Sequence, residues 1–334
     1  MSTAAPSAQT PIPSWLTGLV DAAAIFPPGN SPLPEAVAAH REYRTAPYAA
    51  LVGPFVVSDT RLPDLLEVST GSTTRGRSTT RDGSTTRDDS NTGPGDVEPL
   101  AVSVVVSGGA GSLEPAVRWA TRSGALELRS LEIVLRDDDT GAIVHYARRI
   151  LTAVDQLVSS GELGDEVPVY VEPPRLYGAP PTPGWLGALD EIAAMDHRLK
   201  FRTGGADADA FPAAHELAAS IEAAIDREVA FKCTAGLHNA LRHRDDATGF
   251  EHHGFLNVLL ATRATLDSAG VDEVAALLEE LDAATLTARV RDVGEPGLES
   301  ARRWFRSFGS CSVLEPLEDL VDLDLLPDLP LEHP

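Results

Sequence analysis

Residues 199–234 read LKFRTGGADADAFPAAHELAASIEAAIDREVAFKCT. Leu199–Thr203 and Val229–Thr234 have strand length and composition, and Ala213–Arg227 between them reads as a helix. Strands joined through a helix pair in parallel by a right-handed crossover. The same alternation continues toward the N-terminus. Strands are predicted at Ala49–Ser58, Ala101–Ser107, Ser130–Arg136 and Val167–Glu172, with helices at Trp15–Phe26, Pro34–Tyr43, Pro115–Ser123, Ile143–Ser159 and Trp185–Asp196. Toward the C-terminus, helices at Gly254–Ser268, Val271–Ala284 and Ser300–Phe305 lead into a last strand, Arg306–Ser312. Six or seven strands separated by helices predict an α/β fold of the (β/α)8 barrel type, with room for an irregular unit. A doubly wound open sheet is the competing arrangement, but no Gly-x-Gly-x-x-Gly follows an early strand.

This reading divides the chain into an N-terminal arm with helices (1–48), the barrel (49–312) and an acidic tail (313–334) whose Leu/Asp/Pro-rich stretch packs a short helix outside the barrel. Ser69–Asp96 contains no aliphatic or aromatic residue and repeats Ser-Thr-Thr-Arg at residues 72–75, 78–81 and 84–87. A period of six with nothing to bury cannot build a solenoid, so this stretch is expected to be a disordered surface insertion.

The 334 residues carry 27 basic and 50 acidic side chains, a net charge of −23, which argues against a broad nucleic-acid or anionic-membrane footprint. No apolar run reaches membrane-span length, and Met1–Pro13 lacks the pattern of a secretory signal. Two cysteines, Cys233 and Cys311, suit a reducing cytoplasm. Among the 27 basic residues only Lys200 and Lys232 are lysines. A lysine that persists in an arginine-rich chain is a candidate for chemistry a guanidinium cannot do, since only the amine can deprotonate and form an imine.

Barrel active sites form at the C-terminal strand ends. There the sequence offers Glu132, Glu172, the run Lys200-Phe201-Arg202-Thr203-Gly204-Gly205, the run Lys232-Cys233-Thr234-Ala235-Gly236-Leu237-His238, and Ser310 and Ser312. Side chains alternate along a strand, so Lys200 and Arg202 share one face, as do Lys232 and Thr234. Cys233 then faces the helix layer as a small hydrophobe. The expected roles are catalytic for Lys200, Lys232, Glu132, Glu172 and His238. Arg202, Thr203, Gly204, Gly205, Thr234, Gly236, Ser310 and Ser312 are expected to bind a small anionic substrate, the glycines through exposed backbone amides. Each amine is expected to ease deprotonation of the other by like-charge repulsion. The alternative is an ion-pair plug with only a structural role.

Lys200-Phe201-Arg202-Thr203-Gly204, Lys232-Cys233-Thr234-Ala235-Gly236-Leu237, Arg306–Ser312 and Ser130-Leu131-Glu132-Ile133-Val134 fall in the order of four strand motifs of the class I aldolase barrels. Over residues 130–312 the chain resembles the deoxyribose-phosphate aldolase kind. The resemblance implies a lyase with Lys200 as the imine-forming amine, Lys232 as its pKa-lowering neighbour, and no cofactor. The chain departs from the family at Glu132, where an aspartate is expected, at Ala235, where a glycine is expected, and in the long stretch Asn239–Arg302.

His238, His243, His252 and His253 form the second cluster. One histidine acting as acid or base is the leading role, with His238 the best placed because it ends the Lys232 strand. The competing readings are a metal-dependent barrel enzyme built on His238, Glu172 and the His252–His253 pair, with Glu251 or Asp245 as oxygen donors, and a non-catalytic barrel that binds an anionic metabolite.

Overall fold

A computed structural model describes residues 12–70, 98–136 and 142–329. Eight parallel strands close into a barrel: β1 (Val20–Ala22), β2 (Val52–Ser58), β3 (Leu100–Val106), β4 (Leu126–Val134), β5 (Val169–Glu172), β6 (Arg198–Arg202), β7 (Phe231–Thr234) and β10 (Phe305–Ser310). A small antiparallel ribbon, β8 (His243–Arg244) with β9 (Glu251–His252), stands apart. The helices are α1 (Leu33–Tyr43), α2 (Leu62–Ser69), α3 (Leu113–Thr121), α4 (Ile143–Ser159), α5 (Pro183–Ala194), α6 (Ala214–Ile225), α7 (Phe255–Leu266), α8 (Val271–Leu278), α9 (Ala283–Arg302) and α10 (Leu314–Asp322). The barrel closes where β10 pairs with β1 and β7, with Asp21 opposite Gly309 and Cys233 opposite Phe308.

The local causes are plain. α5 begins with Pro183 after Thr182, whose hydroxyl accepts from Trp185 N at 3.2 Å, and α9 begins after Asp282, which accepts from Thr285 N at 2.7 Å. α4 buries Ile143, Ala147, Ile150, Leu151, Val154 and Leu157, a stripe at helical spacing. Strand alternation turns Val102, Val104, Leu131, Ile133, Val171, Leu199, Phe201, Phe231, Cys233 and Phe308 into the apolar layer beneath the helices, where all are buried. The opposite faces of the same strands supply Ser103, Ser130, Glu132, Tyr170, Glu172, Lys200, Lys232 and Ser307 to the interior. Barrel interiors are ordinarily filled with branched aliphatic side chains; this one is filled with charge.

The predicted barrel is therefore observed, with three differences. Trp15–Phe26 is not a helix: a single 3-10 turn, Ser14–Leu16, leads into β1, so the first barrel strand lies inside the stretch read as N-terminal helices. Phe26 donates its backbone N–H to the Ala23 carbonyl and two prolines, Pro27 and Pro28, follow, so the chain turns after the strand instead of coiling. Helix α9 is far longer than the predicted Ser300–Phe305, and its ladder crosses a break at Gly294 (φ 63°) just before Pro296, the two residues that hide it from periodicity. The predicted insertion lies outside the described residues for positions 71–96, while Ser69 and Thr70 complete and cap α2. In the tail, α10 buries Leu314, Leu317 and Leu320, as expected of a helix packed on the barrel. No helix among the described residues is long and apolar enough to cross a membrane.

Candidate active site

Register places Lys200 beside Lys232, Arg202 beside Thr234 and Glu132 beside Tyr170, all facing inward. A lone buried ammonium is prohibitively costly, so the lysines are held by carboxylates. Lys232 Nζ donates to Asp21 Oδ2 at 2.5 Å and to Glu132 Oε1 at 2.6 Å, with the Tyr170 ring centroid 5.3 Å away. Lys200 Nζ lies 2.9 Å from Glu132 Oε2 and 3.0 Å from Glu172 Oε2. Arg202 Nε donates to Glu172 Oε1 at 2.8 Å. The result is a chain of alternating sign, Asp21–Lys232–Glu132–Lys200–Glu172–Arg202. Three carboxylates face three cations, and Ser103 and Ser307 donate to Glu132 and Asp21 at 2.6 and 2.8 Å. Both lysines of the protein are in it, each 2 % exposed. Arg202, with its side chain 40 % exposed, is where the chain of charges reaches solvent.

The electrostatics correct one expectation. Burial disfavours both ammonium groups. The carboxylates outweigh it: Asp21 and Glu132 raise Lys232, and Glu132 and Glu172 raise Lys200. Mutual repulsion of the amines is the weaker effect, so in the resting protein neither lysine is easily deprotonated. Burial likewise opposes the charge on both carboxyls, but Lys200 and Lys232 hold Glu132 far below the usual range, and Lys200 and Arg202 lower Glu172. Asp21 moves upward, because burial exceeds the pull of Lys232.

At the C-terminal end a cavity of about 230 Å³ opens onto this network, reached by Glu132, Lys200, Arg202, Lys232, Thr234 and His238. His238 Nδ1 lies 3.2 Å from Glu315 Oε2, 3.3 Å from Ser310 Oγ and 3.4 Å from Cys311 Sγ. Burial lowers its affinity for a proton, yet the contacts with Cys311 and Glu315 prevail and raise its pKa to about 9. At neutral pH His238 is an imidazolium at the cavity wall. Cys233 points into the helix layer, where burial pushes its thiol up.

Gly205 lines the cavity together with Arg202 and Thr234, and the remaining predicted binding residues stand close to it in the contacts that follow. Thr203 is fully buried, and its hydroxyl donates to the Thr234 carbonyl at 3.2 Å and to that of Ala235. A Cβ on Gly204 would stand 2.8 Å from Gly236 Cα, and one on Gly236 (φ 76°) would stand 2.7 Å from the Thr203 carbonyl. These two glycines let the ends of β6 and β7 touch, and neither lines the cavity. Ser310 and Ser312 order the turn into α10: Ser312 N donates to Ser310 Oγ and Glu315 N to Ser312 Oγ, both at 3.2 Å. Glu172 lines a neighbouring cleft of about 470 Å³, which shares Arg202 with the cavity.

The four histidines do not converge on one point, although His243 and His252 face each other across the β8–β9 ribbon with ring centroids 5.0 Å apart. His253 Nε2 lies 2.8 Å from the Pro212 carbonyl, and burial lowers its pKa to about 4. His252 Nδ1 lies 3.2 Å from the Gly236 carbonyl, and His243 Nδ1 lies 3.2 Å from that of Leu241. With each ring engaged on separate backbone, no group of three or more His, Cys, Asp or Glu side chains among the described residues is placed to share a metal ion. The metal reading of His238, Glu172, His252 and His253 therefore lacks its ligand set.

Three residues of the site carry no clear functional signal in the sequence. Asp21 was hidden by the helical reading of its alanine-rich surroundings; its one signal is a lone carboxylate inside an apolar run. Cys311 and Glu315 follow the last strand, and only the fold brings them to His238.

The molecule is a closed eight-stranded (β/α) barrel with an ion network along its interior and an opening at the C-terminal strand ends. No known protein family, curated protein or solved structure matches the chain.

Proposed function

We propose that this barrel is an enzyme acting on a small anionic carbonyl compound at its C-terminal mouth, by aldolase-like lyase chemistry through an imine on Lys200. One observation carries the reading. An arginine-rich chain keeps only two lysines, and both are buried among carboxylates beneath the cavity. Replacing a buried ion network by apolar side chains is often neutral or stabilising, so stability alone does not account for it.

The imine step follows from the contacts. Glu172 takes a proton from the Lys200 ammonium, leaving a neutral pair. The amine nitrogen attacks the carbonyl carbon, the π electron pair moves to the oxygen, and a proton passes from that nitrogen to the oxygen, giving a neutral carbinolamine. Glu172 returns its proton as that hydroxyl departs as water, and the iminium stands against Glu132 and Glu172. Electrons from a breaking C–C or C–H bond then flow into the iminium. Arg202 pairs with the substrate's anionic group, and His238 exchanges a proton with the departing fragment. No cofactor enters this scheme.

The upward shift of both lysines favours a second reading, in which Lys200 remains an ammonium that polarises or merely binds the carbonyl compound. Borohydride reduction in the presence of small aldehydes and keto acids separates the two. The imine reading expects a stable mass increase on the Lys200 peptide, abolished in Lys200→Arg and reduced in Lys232→Arg. An adduct on Lys232 alone would transfer the role to that residue. Saturable binding without any adduct would leave the second reading in place.

A further inference from the structure

The opposite end of the barrel carries a feature that the proposed chemistry does not use. At the N-terminal strand ends a cavity of about 280 Å³ is ringed by Arg44, Arg129, Arg198 and Arg306 and floored by Asp21 and Lys232. Four guanidinium groups thus converge in a protein of net charge −23. Arg129 is paired with exposed Glu127 at 3.0 Å. Arg198 donates to Tyr170 Oη at 3.0 Å, and Arg44 donates to the Val52 carbonyl at 3.0 Å. Among the described residues no carboxylate stands within ion-pair distance of Arg44, Arg198 or Arg306, and the one acidic residue in the cavity, Asp21, is already held by Lys232 and Ser307. Behind the ring, partly buried Arg302 donates to the carbonyls of Trp15, Thr17, Phe305 and Arg306 and adds a fifth positive group.

We infer that this cavity is a second binding site, separate from the mouth, for a small phosphate-type oxyanion. Clustering like charges around one concavity costs free energy that an anion recovers, and the acidic exterior would otherwise repel such a ligand. Guanidinium forks match the oxygens of phosphate. Cations arriving from the residue that follows α1 and from β4, β6 and β10 surround the cavity from several sides, which suits a tetrahedral group better than a planar carboxylate. The volume lies below the roughly 300–1,000 Å³ of sites for drug-sized ligands, so the ligand is compact. Lys232 also lines the mouth cavity, so the two sites meet at one side chain.

The test is calorimetric titration of the full chain with inorganic pyrophosphate at constant ionic strength. The expected result is saturable one-to-one binding. It should weaken at least tenfold in Arg198→Gln/Arg306→Gln and stay within twofold in Arg202→Gln at the other end. Arg306→Gln alone, at an exposed position, keeps the test readable should the double variant unfold, and is expected to weaken binding severalfold. Absence of saturable binding would overturn the inference. So would loss of binding in Arg202→Gln, which would place the anion at the mouth or reduce the effect to general charge. Tighter binding of citrate than of pyrophosphate would overturn the phosphate assignment. None of these outcomes depends on whether Lys200 forms an imine.

Discussion

Glu132 is the residue on which the interior turns, because each of its carboxylate oxygens holds a different lysine. Glu132→Gln would leave two buried ammonium groups sharing less negative charge. Removing one partner of a buried pair costs about 3–5 kcal/mol, and a loss of that size is expected in urea unfolding at pH 7. A loss under 1 kcal/mol would mean that water enters the barrel and screens the network. His238 gives the pH dependence. Its folded pKa, about 9, lies above the unfolded value near 6.5, so its stabilisation is complete below pH 6.5 and disappears as pH rises through 9. With Glu315 half-exposed, the effect is on the order of 1–2 kcal/mol. The stability advantage of the native protein over His238→Gln should be full at pH 6 and gone by pH 10; an advantage that is constant with pH would refute the assignment. At this scale much was legible. Strand alternation alone puts Lys200, Arg202, Lys232 and Thr234 on one face, and Glu132 and Glu172 are the carboxylates the sequence places on neighbouring strands. The protonation of the lysines was not legible, because it depends on which carboxylates lie within 3 Å, and Asp21 is 211 residues away from Lys232.

At the scale of elements, the junction of β6 and β7 is the tightest point near the mouth. Gly236 combines a left-handed backbone with a contact that leaves no room for a Cβ, so Gly236→Ala should cost about 2–4 kcal/mol, combining the conformational and steric penalties. Its neighbour Ala235 also has a positive φ, 61°. Ala235→Gly relieves that strain and should be neutral or stabilise by about 0.5–1 kcal/mol, despite the added unfolded-state entropy. The melting temperature should therefore fall in Gly236→Ala and hold or rise in Ala235→Gly, and a joint decrease would show that the Ala235 methyl packs usefully. The sequence marks this turn as special through Ala235-Gly236, and what it does not show is how closely Gly204 and Gly236 approach each other. Strands β2 and β3 were legible because each is a largely apolar run of strand length. β1 was not, since three residues in an alanine-rich stretch carry no period, and only pairing with β2 and β10 makes them a strand.

For the whole molecule, the pairing of β1 with β10 joins residues nearly 290 positions apart in sequence, Val20 with Phe308. The barrel interior is shared across the same seam, since Asp21 on β1 meets Ser307 on β10. A chain shortened to end at Arg303 would lack β10 and leave β1 and β7 as open edges with Asp21 short of one donor. Such edges template association, so the shortened chain is expected to aggregate and to lose cooperative unfolding by circular dichroism. A monomeric, cooperatively melting product would show that seven strands suffice. The seam also bears on biosynthesis. A ribosome releases β1 early and β10 only after almost the entire barrel, so the nascent chain must carry an unpaired first strand and incompletely neutralised interior charges throughout elongation. Long-range parallel pairing is slow to form, and this protein cannot begin its final closure until translation has passed Ser310. Its dependence on holding chaperones should accordingly peak late in synthesis, just before the last strand leaves the exit tunnel.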